Sequence, residues 1–490
     1  MSISVVLQWG AIITVFAGCL FVLSALPAKT SGGFSRSQLQ AWMATLGASR
    51  IGWLVRFNIA GALLSFATVV LFFVGNSTLF GIFTLAAVLS LGLGAFVTRG
   101  LSGAVNRLPG VNIQVAQDAP LKATLASIVW RPDRWGRRTS ELVRCVSVGN
   151  LFGVLWLEFA FMSDMGGRLM GLTPTGRVGL LFLASFIVLY ACFRFGVRGI
   201  AFLDLILTPL IFLGVLVLLA GALYLALNAP AAASPMQWIE PKLPFQVIAL
   251  FIVHVFCLNP FLLVVTEGHW FRMWAFGQPE LKQQVPGLTV VAVVSICLVA
   301  TGLLGGHALP GEPGDSLIAR LLTTLDDQVP IFAAAFWVAG VAAMFSTADV
   351  QILGLALMVG FKSGTGESEL SSGLLSRPKL SALVIAGCLS ALYYVIRIVT
   401  KVDFEKLVFF ILPAAITLLP ALVFRITRQT ATGAQFGVLL LGLVGYVITS
   451  LIGLARPADQ LALNLGAVLI PVVISAGIWL SRPKLSQLVR

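Results

Sequence analysis

Apolar residues along this chain gather into blocks of about 20 rather than alternating or recurring on a single helical face. Thirteen blocks stand out, at about 3–26, 53–74, 78–98, 142–166, 177–193, 200–227, 245–266, 286–307, 329–360, 380–399, 404–424, 433–454 and 461–480. An α-helix rising 1.5 Å per residue needs about that length to cross a hydrocarbon core of about 30 Å. Lipid offers the backbone no water, so each block must close its own hydrogen bonds as a helix. The expected fold is an all-α polytopic membrane protein with thirteen transmembrane helices, forming one transmembrane domain over residues 1–490.

Two connections carry helical patterns of their own. From Asp315 to Asp326, Leu317, Ile318, Leu321, Leu322 and Leu325 fall at helical spacing, which predicts an amphipathic helix over the outer mouth. Trp130 to Arg144 reads as a basic, Trp-bearing cytoplasmic helix anchored at the interface. The first block, Ile3 to Leu26, has no basic residues ahead of it and is long for a signal core, so a retained span is expected.

Composition removes other classes. Hydrophobic residues are 58% and charged residues 10% of the chain, against about 25% charged in an average soluble domain. A net charge of +13 would suggest nucleic acid in a soluble protein. Here no nucleic-acid-binding motif accompanies it, and the charge reads as the Lys and Arg excess of cytoplasmic loops. Alternation over thirteen spans puts 24 of the 32 Lys and Arg residues on one side and 8 on the other. That side is cytoplasmic, which places the N-terminus outside and the C-terminus inside a cell membrane, of the bacterial inner-membrane kind. The six Cys residues are scattered without a C-x-x-C pair and read as small core residues.

Polar groups inside spans are expensive unless they face a cavity or find partners. The informative ones are Glu158 and Asp164, Asp204, His254 and Asn259, and Ser346, Thr347 and Asp349. In the run Gly340 to Asp349 (GVAAMFSTAD) small residues admit a close helix neighbour. Ser346 and Thr347 are hard oxygen donors for Na⁺, or alternatively packing hydroxyls bonded to their own helix. Pro260 cannot donate to the Phe256 carbonyl and so frees an acceptor beside Asn259, one turn from His254. This is either a broken helix that builds a solute site or a simple kink. Trp156, Glu158 and Phe159 would add an aromatic wall and a negative charge, suited to a small polar or cationic solute. Asp164 has Arg168 four residues on and is expected to form a local pair.

Three motifs in order resemble the sodium:solute symporter family. Met344 to Gln351 (MFSTADVQ) resembles its M-S-T-A-D-S run. Arg194 to Asp204 (RFGVRGIAFLD) resembles its G-G-x-R-A-V-x-x-T-D stretch between two spans. Glu267 to Gly277 (EGHWFRMWAFG) resembles the W-x-R-x-x-A-A-K run after the seventh span. The resemblance implies a LeuT-type fold of two inverted five-helix repeats, about 53–227 and 245–424, with one span before and two after. It implies Na⁺ between the second and ninth spans, held by Ser346, Thr347 and the Ala343 carbonyl, with Ala60 and Asp349 nearby.

The expected function is Na⁺-coupled symport of a small polar organic solute by alternating access. Substrate contacts are expected from Trp156, Glu158, Phe159, His254, Phe256 and Asn259, between spans two, four, seven and eleven. The alternative is a transport-fold protein without coupled transport, a sensor or an accessory subunit of a membrane complex. Partners are a small-molecule solute and the lipid bilayer, with no nucleic acid; a membrane-protein partner or a homo-oligomer is compatible. With His only at 254, 269 and 307, and with no metalloprotease pair, nucleophile elbow or phosphate loop, no enzyme is expected. The charge asymmetry predicts that a cysteine introduced at position 315 is labelled by an impermeant reagent from outside the cell. Labelling from the cytoplasmic side alone would reverse the topology.

Overall fold

The computed structural model describes residues 3–25, 48–65, 72–108, 111, 124–169, 171–229, 241–309, 317–360, 377–400, 404–427, 432–456 and 460–481. Segment 66–71 of the second expected span, Asp315 and the tail 482–490 lie outside the described residues. In chain order the α-helices are α1 (Ile3–Ala25), α2 (Ala48–Leu63), α3 (Leu85–Val105), α4 (Leu125–Val129), α5 (Arg134–Leu169) and α6 (Pro174–Asn228). Next come α7 (Phe245–Leu262), α8 (Glu267–Phe276), α9 (Gln278–Ala308), α10 (Leu317–Gln328) and α11 (Pro330–Gly360). The last are α12 (Pro378–Tyr393), α13 (Phe404–Ile411), α14 (Leu419–Thr427), α15 (Thr432–Ala455), α16 (Gln460–Ala467) and α17 (Leu469–Leu480). Short turns over Asn76–Phe80 and Gly81–Thr84 lead into α3, a π-helical turn over Tyr394–Val399 follows α12, and a 3₁₀ stretch over Leu412–Leu418 links α13 to α14.

Ten helical stretches among the described residues are long and apolar enough to cross a membrane, and Val6–Phe21 and Leu412–Thr427 are shorter apolar helices. Large apolar side chains such as Phe21, Leu89, Phe96, Leu213, Phe245 and Leu480 are exposed on the outside, as a lipid-facing surface requires. Together these features make a multi-pass membrane protein.

The most buried of the ten is in α11, with 78% of its most apolar window inside the protein. It packs against α6, α5, α1 and α2. Lacking a hydrophobic force between helices in lipid, such contacts rely on small residues that let backbones approach. At Gly214 of α6 an added Cβ would overlap the Ala339 Cβ of α11, so only glycine fits there.

Three expectations change. The spans expected at 177–193 and 200–227 are joined without a loop, because backbone helical bonding runs unbroken through the 55 residues of α6. As a straight rod it would measure about 80 Å; two separate stretches of it, Pro174–Arg194 and Leu203–Asn228, are each sufficient to cross. The basic helix expected at 130–144 starts instead at Arg134 and continues directly into the following span, since Pro132 separates it from α4. In the seventh expected span the helix passes through Pro260 and ends at Leu262, with the interruption falling at residues 263–266. The amphipathic helix is present as α10, with Leu317, Ile318, Leu321, Leu322 and Leu325 buried.

Asp164, 6% exposed, joins α5, α6 and the end of α12. Its Oδ1 accepts from Arg177 Nη1 at 2.9 Å and from the Tyr393 hydroxyl at 3.0 Å. Its Oδ2 faces Arg168 Nη2 at 3.0 Å and, from the π-helical turn, Arg397 Nη2 at 3.7 Å. The expected local pair with Arg168 is thus one part of a cluster of three guanidinium groups around one carboxylate. Asp164→Ala leaves those cations without their shared anion and should cost on the order of 3 kcal/mol, whereas Arg168→Ala, at an exposed side chain, should cost about 1 kcal/mol or less. Thermal unfolding of the two variants in detergent checks this, and equal losses would refute it.

Candidate functional site

Two features meet where α2, α5, α6, α7 and α11 come together. The first is a cluster of buried oxygens. Asp204 of α6 is fully buried, and its Oδ1 accepts from Ser346 Oγ of α11 at 2.5 Å while its Oδ2 accepts from Asn58 Nδ2 of α2 at 2.5 Å. One turn along α6, Thr208 donates to the Phe57 carbonyl of α2 at 3.1 Å. Gly61 makes room for this junction, since a Cβ there would collide with Ser346 Oγ and lie 2.9 Å from Asp204 Oδ1.

Asp349, three residues beyond Ser346, is also fully buried, and neither carboxylate oxygen has a hydrogen-bond partner of ordinary geometry. The adjacent Val350 N–H acts on it, and its charge and that of Asp204 act on one another. A buried carboxylate without donors is costly unless a cation or proton accompanies it. Thr347 Oγ1 is likewise buried without a partner. Hydroxyl and carboxylate oxygens are the donors that hard cations take, so the residues present fit a cation such as Na⁺.

The second feature is a cavity of about 140 Å³. Its wall is mainly apolar, including Leu91, Leu151, Val154, Leu258, Leu262 and Val350, with polar groups from Ser65, Asn150, Asn259, Thr266, Thr347 and Gln351. Ser346 and Thr347 are neighbours on a helix that turns about 100° per residue. The first therefore enters the oxygen cluster while the second lines the cavity.

The residues singled out from sequence are distributed unevenly around these features. Asn259 lines the cavity and donates from Nδ2 to Ser90 Oγ at 2.8 Å and to the Ala87 carbonyl at 3.1 Å, tying α7 to α3. Glu158 is fully buried behind the wall and accepts from the hydroxyl of Ser65, which does line it. Trp156 and Phe159 are buried in the core and lie outside the lining. His254 is buried on another side of α7, with Nδ1 2.9 Å from the Leu465 carbonyl oxygen of α16. Phe256 is 37% exposed and also outside the lining. Ala343 is buried and borders a smaller void between α2, α6, α9 and α11. Ala60 is buried, its carbonyl accepting from Leu64 N at 2.9 Å.

Sequence reading passed over Asn58, Ser65, Asn150 and Gln351. Gln351 falls inside the quoted MFSTADVQ run, and Asn58 stands three residues before Gly61, so short-range signals existed for both. Asn150 and Ser65 carry no such signal, because only the tertiary packing brings them to the cavity.

No family model matches the sequence, and no curated protein matches it by sequence. Solved structures do match in fold. A Na⁺-coupled sialic acid symporter in a substrate-bound outward-open state is 13% identical with a TM-score of 0.61, over 97% of this chain and 98% of that one. MhsT in complex with L-phenylalanine is 14% identical with a TM-score of 0.51, over 89% and 98%. A mutant of the manganese transporter of Eremococcus coleocola is 14% identical with a TM-score of 0.50, over 89% and 95%. These neighbours are transporters rather than enzymes, and the chain shares with them the LeuT-type fold.

Proposed function

We propose that this chain is a secondary active transporter that couples Na⁺ to the movement of a small organic solute by alternating access. The observation that carries the reading is the adjacency within α11: Ser346 belongs to a buried oxygen cluster and Thr347 to the wall of the neighbouring cavity. Na⁺ is held by Ser346 and Asp204, with Thr347 reaching it from the adjoining cavity wall, Asp349 supplying further negative charge and Ala60 and Ala343 supplying carbonyls on closure. The solute occupies the cavity, where Asn259, Thr347 and Gln351 face it. In this reading residues 53–227 and 245–424 are inverted repeats, transport comes from rocking one helix bundle against the rest, the N-terminus is outside and the C-terminus cytoplasmic. The Na⁺ symport recorded for the sialic acid symporter supports the choice of ion.

The test is ²²Na⁺ uptake into proteoliposomes with and without a panel of amino acids, sugars and carboxylates. Solute-stimulated uptake is expected; a flat response across the panel would favour the accessory-subunit reading. Ser346→Ala and Thr347→Ala each remove a ligand with no solvent to replace it, at about 1–3 kcal/mol. That corresponds to a roughly 5- to 150-fold rise in half-saturating Na⁺. Ser481→Ala, at the end of α17, should change nothing. Unaltered Na⁺ dependence in both variants would make these hydroxyls packing residues.

The glycine at the junction gives an independent check. Gly61→Ala places a methyl group against Ser346 Oγ, and an overpacked site loses about 1–3 kcal/mol. Gly75→Ala meets nothing within 4 Å. Weaker Na⁺ dependence in the first and unchanged behaviour in the second are expected, and equal behaviour of the pair would count against the site.

A further inference from the structure

Helix α8, all ten residues of which are buried, lines the cavity with Gly268 and Arg272. Among the described lining residues Arg272 of this helix is the only one that carries a charge. It is 3% exposed, and its Nη1 lies 3.5 Å from where a side chain on Gly268, another lining residue, would begin. Its Nε faces Glu280 Oε1 of α9 at 3.2 Å. The same oxygen lies 3.7 Å from His269 Nδ1, and His269 Nε2 is 2.8 Å from Ser102 Oγ of α3. Glu280 Oε2 is buried without a partner.

Glu280 therefore grips the guanidinium at one point, through Nε. A guanidinium presents five donors in a fixed fork that matches the two oxygens of a carboxylate. Glu280 and the Ser102–His269 contact hold that fork in place from behind, while its cavity side meets a wall that is otherwise neutral and mostly apolar. Glu158, the negative charge that would have favoured a cationic solute, is outside the lining and bound to Ser65.

Taking the cavity as the solute site proposed above, we propose that Arg272 anchors an anionic group and that the solute is a small organic monocarboxylate with an apolar body. Its carboxylate is received by the terminal nitrogens of Arg272, and its apolar part lies against Leu91, Val154, Leu258, Leu262 and Val350. Such an anion, moving with a cation from the Asp204 cluster, crosses the low-dielectric interior with less net charge than either ion alone.

The experiment uses the purified full chain in nanodiscs with Na⁺ present, and reads the thermal unfolding midpoint against the straight-chain carboxylates from acetate to octanoate, each matched by its primary amide and its primary amine. Carboxylates of some chain length are expected to raise the midpoint in a saturable way, with their amides and amines inert. Because Arg272→Gln alone strands Glu280 in the interior, the second protein is the double variant Arg272→Met with Glu280→Met, which removes the pair together. It should unfold cooperatively and lose the carboxylate response at least tenfold, and Arg272→Lys, a point charge without the fork, should weaken it. Stabilisation by amides or amines as strong as by carboxylates overturns the solute class and leaves the cavity reading standing. A carboxylate response that survives in the double variant moves the anchor elsewhere. Silence of all three series in the parent protein overturns this proposal together with the cavity as a binding site.

Discussion

Everything in this protein hangs on how a membrane interior tolerates the contact between α6 and α11. Two carboxylates, Asp204 and Asp349, are buried there, with Ser346 and Asn58 donating to the first and no donor of ordinary geometry on the second. An isolated carboxylate at that depth would be prohibitively costly. The surrounding helices accept it because small residues, Gly61 and Gly214 among them, bring backbones close enough for short polar side chains to meet. Close backbone approach and buried polar groups thus coincide at this junction. The apolar belt facing lipid secures insertion, whereas this junction fixes which helices are neighbours.

Away from that junction, polar groups concentrate in separate clusters that tie helices together. Asp164 gathers Arg168, Arg177, Arg397 and Tyr393 from four elements. Glu267, buried at the start of α8, accepts from the Leu125 N–H at 2.9 Å and from Ser147 Oγ at 3.0 Å, fastening α8 to α4 and α5. Both of these carboxylates are met by groups from other elements. The arrangement allows helices to be held by a few directional contacts, while the lipid-facing sides need only be apolar.

Much of the helix inventory was legible because apolar length is a coarse and robust signal. The geometry of the candidate site was legible only where residues adjacent in sequence meet adjacent features, as Ser346 meets the oxygen cluster and Thr347 the cavity wall. Pro260 marked the right helix and the wrong residue: the chain absorbs the missing N–H and interrupts itself at 263–266. Glu158, His254 and Phe256 were conspicuous as residue types, yet one step of helical rotation decides whether a side chain meets the cavity, a neighbouring helix or lipid. Trp130 to Arg144 looked like one basic segment because charge is continuous there, whereas Pro132 divides the backbone. Partnerships such as Asp204 with Asn58 span 146 positions and leave no local trace.

The single peptide unit between Ser346 and Thr347 has a thermodynamic consequence for the proposed function. A rotation or tilt of α11 that improves the oxygen cluster necessarily resets the hydroxyl on the cavity wall, so neither site can relax alone. Linkage then requires symmetry: the factor by which the cation tightens the solute equals the factor by which the solute tightens the cation. Under the proposed function no long pathway is needed to transmit that coupling, since one turn of helix would be shared by both ligands.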